Sequence, residues 1–95
     1  MTDETLEVED RLADESRRGG DARRIMQDPL VVEVLQSMEE ALVNAFESCP
    51  LRDTEGLVGI RYQMSALRGF KKNMQSMMET GFMADLEIKS KNDGE

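Results

Sequence analysis

The side chains able to do chemistry in this chain are few in kind. It has no histidine or tryptophan, one cysteine and one tyrosine, set among 20 acidic and 12 basic residues. The usual nucleophile and base pairings need a histidine, a second thiol or a lysine held beside another titratable group, and nothing in the sequence gathers such a set. Glu33, Glu40 and Glu47 recur every seven residues. On a helix that spacing separates them by about 10 Å along the axis, too far to share one metal ion, so they describe a solvated face. A di-iron bundle also requires Glu-x-x-His pairs, which a chain without histidine lacks. Cys49 has no second cysteine with which to form an internal disulfide or zinc site, and it is expected to be a reduced core thiol. The glycines at 56, 59, 69 and 81 precede no Gly-Lys-Ser/Thr ending and do not make a phosphate loop. The expectation is therefore a protein that is not an enzyme and holds no cofactor or metal.

One basic strip remains, Arg61, Arg68, Lys71 and Lys72. Nucleic acid is its functional reading. The net charge of -8 opposes a phosphate backbone, and there are few aromatic groups to stack on bases, so pairing with an acidic helix or tail is the favoured expectation.

These side chains sit on elements that apolar spacing defines. Asp28-Pro29 is a helix start, a capping carboxylate followed by proline at the first helical position. From there Val31, Leu35, Met38, Leu42, Ala45 and Cys49 alternate at spacings of four and three, with Leu30, Val34, Ala41 and Phe46 widening the stripe. The pattern predicts a helix over 29–48. Pro50 disfavours helical geometry at Cys49, and Asp53 offers a new cap. Leu57, Ile60, Met64, Leu67, Lys71, Met74 and Met78 then repeat the spacing, with Phe70 beside the stripe, and Gly81 reads as a left-handed residue closing the second helix. Gly59 and Gly69 lie inside that helix, where each costs about 1 kcal/mol relative to alanine, and this suggests the close approach of another backbone.

Two such stripes joined by a short turn predict an all-α fold, an antiparallel helical hairpin over residues 21–88. Asp21 is expected to cap a short helical turn over 22–27. Residues 1–20, rich in acids and ending in Gly19-Gly20, read as a flexible tail, and 89–95 as a polar C-terminal tail. The first long helix carries Glu33, Glu39, Glu40 and Glu47 and no base, the second the basic strip, so Glu39 is expected to reach Arg61 or Arg68, with Lys72 a further possible contact. A lone hairpin of this size buries too little, and Val32, Val43, Val58, Phe70, Met77, Phe82 and Met83 exceed what one helix contact hides, which predicts a homo-oligomer. The acidic N-terminus lacks the pattern of a signal peptide, and no apolar run approaches the ~20 residues of a membrane span, so no membrane partner is expected.

The order of Asp28-Pro29-Leu30, then Asp53-Thr54-Glu55-Gly56, then Glu79-Thr80-Gly81-Phe82-Met83-Ala84 resembles a group of small tailed-bacteriophage proteins that place an Asp-Thr-Glu-Gly turn between two amphipathic helices. The resemblance covers about Arg24 to Ala84. It implies a phage-encoded, non-enzymatic protein tied to head assembly or the virion, acting in the host cytoplasm and partnered by itself and by phage structural proteins. A DNA-packaging accessory like a small terminase subunit and an acidic inhibitor of a host protein are the alternatives.

Overall fold

A computed structural model describes residues 2–93 and contains three helices, α1 (Asp3–Gln27), α2 (Pro29–Ser48) and α3 (Thr54–Asp93). The fold is all-α, as expected, with no strand among the described residues.

Both helix boundaries in the middle of the chain arise from proline. The ring of Pro29 pushes Asp28 out of helical geometry (φ -64°, ψ 124°), and Pro50 does the same to Cys49 (φ -74°, ψ 126°). Each break is followed by a capping carboxylate. Asp28 Oδ1 accepts from the amides of Leu30 at 2.8 Å and Val31 at 3.3 Å, and Asp53 Oδ1 accepts from the Gly56 amide at 3.0 Å. These bonds satisfy amides that have no partner inside their own helix. The intervening turn is held by the Asp53 amide on the Pro50 carbonyl at 2.9 Å.

The helices divide into two compact units, Gln27–Lys72 and Met1–Met26 with Asn73–Glu95. In the first, α2 lies along the beginning of α3, with contacts running in opposite order on the two helices. Phe46 lines one depression with Leu57 and Arg61 near the turn, and Glu39 pairs with Lys71 further away. Leu67 is the only buried side chain of this unit, while Val31, Leu35, Leu42, Leu57, Ile60 and Met64 are half-buried.

The second unit was not foreseen. Residues 1–20 are expected to form a tail, yet α1 is helical from Asp3 and buries Leu12, Gly19 and Ala22. Val8, Leu12, Gly19, Ala22 and Met26 share the three-four spacing of the other stripes, with Glu15 at the polar step. The end of α3 carries the answering residues: half-buried Met74, Met78 and Ile88, and buried Gly81 and Ala84. Arg11–Glu15, Arg17–Asp14, Arg18–Asp14 and Arg24–Asp21 ion pairs, three or four residues apart, support the helix on its outer side. Asp21 is thus inside a helix, pairing with Arg24 at 2.5 Å, and caps nothing.

Three further expectations are corrected. Gly81 does not end the second helix: α3 continues to Asp93, and none of the described glycines has a positive φ. The polar segment 89–95 is helical through Asp93, and its last two positions lie outside the described residues. The hairpin expected over 21–88 gives way to a division in which residues 21–26 and 73–88, with Met74 and Met78, belong to the unit that contains α1.

Candidate interaction surface

In the unit Gln27–Lys72, α2 is mostly apolar and has no base, yet not one of its residues is buried. A helix normally hides its apolar stripe, because each fully covered Leu, Val, Phe or Met side chain is worth ~1.5–3 kcal/mol. Here Leu30, Val32, Val34, Met38, Val43 and Phe46 stand open to solvent, and α3 adds Val58, Tyr62 and Phe70. Met38, Phe46 and Phe70, expected in the helix-pairing stripe, are about half exposed at 46%, 52% and 45%. Of the other residues expected in that stripe, Val31, Leu35, Leu42, Leu57, Ile60 and Met64 are half-buried and Leu67 is buried. Met38, Phe46 and Phe70 are not covered by the chain itself.

The open apolar surface has two sides. One is a groove along the pair, with Leu35, Met38, Ala41 and Leu42 from α2 and Ala66, Leu67 and Phe70 from α3. Gln63 is its one polar lining residue, and it holds no charge. Small Ala41 and Ala66 between larger neighbours make the hollow. Nearer the turn, a second depression gathers Phe46, Leu57, Val58 and Tyr62 with Arg61.

Charge is distributed differently from the apolar groups. Glu39 pairs with Lys71 rather than with Arg61 or Arg68, so that expectation is corrected. Lys71 occupies a position in the apolar stripe of α3, and from there its ammonium reaches across to α2. Both side chains are close to half exposed. Arg61, Arg68 and Lys72 are exposed and form no ion pair among the described residues, and neither do Glu33, Glu40 and Glu47.

Cys49 is half-buried at the turn, its Sγ 3.8 Å from both the carbonyl oxygen and Oδ2 of Asp53. Burial pushes the thiol's pKa up, and the Asp53 charge and contact push the same way. This thiol is the reverse of an activated nucleophile. Among the described residues no three or more cysteine or carboxylate side chains gather in a way that would hold a metal, and no helix is long and apolar enough to cross a membrane.

The other unit contains a site that sequence reasoning missed. Gly19 of α1 and Gly81 of α3 sit back to back where the two helices meet, and Ser16 donates a hydrogen bond to Asp85 one turn away. The close approach expected at Gly59 and Gly69 is absent among the described residues, since a Cβ at either meets nothing of them within 4 Å. The signal for Gly19 and Gly81 was their place in the three-four spacing. It was masked because glycine at such a position reads as a break before it reads as a contact.

Comparison with family models, with curated proteins and with solved structures yields no match to this chain.

Proposed function

We propose that this chain is a non-enzymatic protein–protein interaction module. In this reading the antiparallel hairpin of α2 and α3 self-associates and docks on other structural proteins as a head-assembly or virion component of a tailed phage. The observation that carries it is an apolar α2 with no buried residue. One buried side chain in a unit of this size is far short of what a stable helical fold needs, and a protein partner is the ordinary way to cover so much apolar surface. The order of the Asp28-Pro29, Asp53-Thr54-Glu55-Gly56 and Gly81-Phe82-Met83 motifs supports the phage setting through the resemblance described above.

Solution mass and particle composition test this reading together. An oligomer by sedimentation at tens of micromolar, with the chain present in purified particles or immature shells, is the expected result. A monomer that is absent from both overturns it.

One observation favours a second reading, a DNA-packaging accessory. Arg61, Arg68 and Lys72 are exposed on α3 without ion-pair partners among the described residues. Phosphate binding by this strip predicts DNA retardation that weakens steeply with salt, and no retardation at low salt removes it.

A further inference from the structure

Resting on the self-association reading, we propose that the uncharged groove of the α2–α3 pair is closed by the same groove of a second copy, with α2 of each copy lying against α3 of the other.

The occupant follows from three features of the groove. First, the lining is apolar apart from Gln63, and Met38 and Phe70 stand out from it beside the hollow at Ala41 and Ala66. A surface with protruding and recessed apolar groups side by side can complement a rotated copy of itself, as a two-fold interface requires. Phe70 of one copy then fills the hollow of the other.

Second, the demand for cover is permanent. Leu67 is the only buried side chain of the unit, so the pair needs its partner as soon as it folds. A second copy meets that need by mass action in equal amount, and two hairpins stacked in this way make a four-helix bundle.

Third, charge chooses between the two ways of stacking. α2 carries four carboxylates and no base, while the part of α3 in this unit carries four bases and one acid. Stacking α2 on α2 sets two acidic helices side by side, whereas stacking α2 on α3 gives every helix neighbours of opposite sign. The charged side chains line neither wall of the groove, so they select the arrangement without being buried in it.

Two variants of the full chain test this. Ala41 is exposed, so Ala41→Glu is tolerated by a lone chain but places a carboxylate in the closed groove. It is expected to raise the dimer dissociation constant by roughly a hundredfold or more, the cost of an unpaired buried polar group. Gln36→Glu, on an exposed position of α2 that lines neither depression, serves as the control and is expected to leave the mass unchanged. For orientation, Ala41→Cys and Ala66→Cys are made on separate chains, each also carrying Cys49→Ser. A short bismaleimide is expected to cross-link the mixture and neither chain alone. A wild-type monomer at tens of micromolar overturns the self-association reading itself. A wild-type dimer that Ala41→Glu leaves intact, or cross-linking of Ala41→Cys to itself without the mixed product, overturns only the groove assignment or the orientation.

Discussion

Gly19 and Gly81 face each other so closely that a Cβ on Gly19 would stand 2.6 Å from the Gly81 Cα and 2.9 Å from the Met77 carbonyl oxygen. A Cβ on Gly81 would stand 2.6 Å from the Gly19 Cα and 3.0 Å from the Glu15 carbonyl oxygen. The obstacles are backbone atoms, so a side chain at either position must push the helices apart.

Alanine substitution therefore has opposite signs at neighbouring positions. Gly19→Ala and Gly81→Ala each gain about 1 kcal/mol of helix propensity, but overpacking costs ~1–3 kcal/mol and also strips contacts from Leu12 and Ala22, so both variants are expected to melt earlier. At Gly20, where nothing lies within 4 Å, the propensity gain stands alone and the melting temperature rises. Gly59→Ala and Gly69→Ala report on the assembly in the same way, rising if those positions stay open and falling if a partner backbone approaches. Thermal unfolding followed by circular dichroism reads all five.

The Glu39–Lys71 pair is exposed enough that its coupling is expected at only ~0.2–1 kcal/mol. A double-mutant cycle with Glu39→Gln and Lys71→Met measures it, and the coupling shrinks as salt is added. The equivalent cycle between Glu39 and Arg61 is expected to give no coupling. A larger value there would reassign the pair.

Cys49 is expected to alkylate more slowly near pH 8 than an unstructured thiol, because burial and the Asp53 carboxylate both disfavour the thiolate. Asp53→Asn retains a good helix cap while removing the charge, so it should lower the thiol pKa and speed the reaction. The folded chain holds this proton more tightly than the unfolded one. Its contribution to stability is thus full below the ordinary thiol range and is lost as pH rises through the raised value. A pH–rate profile of iodoacetamide labelling, wild type against Asp53→Asn, checks both statements.

Local chemistry alone determined the middle of this protein. Proline restricts the residue before it and a carboxylate caps the amides after it, so Asp28-Pro29 and Cys49-Pro50 through Asp53 set the bounds of α2 and the start of α3 whatever surrounds them. The three-four spacing likewise contains the less exposed positions of α2 and early α3, Val31, Leu35, Leu42, Leu57, Ile60, Met64 and Leu67, since it depends only on helical period. Tertiary structure decided the rest. Residues 3–27 are acidic and thinly apolar, so their helix depends on the close approach of Gly19 to Gly81, a fact no local window contains. For the same reason Gly81 is a packed helical residue instead of a terminator: φ at a glycine is chosen by what lies across from it. The strip facing Glu39 holds four bases, Arg61, Arg68, Lys71 and Lys72, and only the register of the two helices selected Lys71.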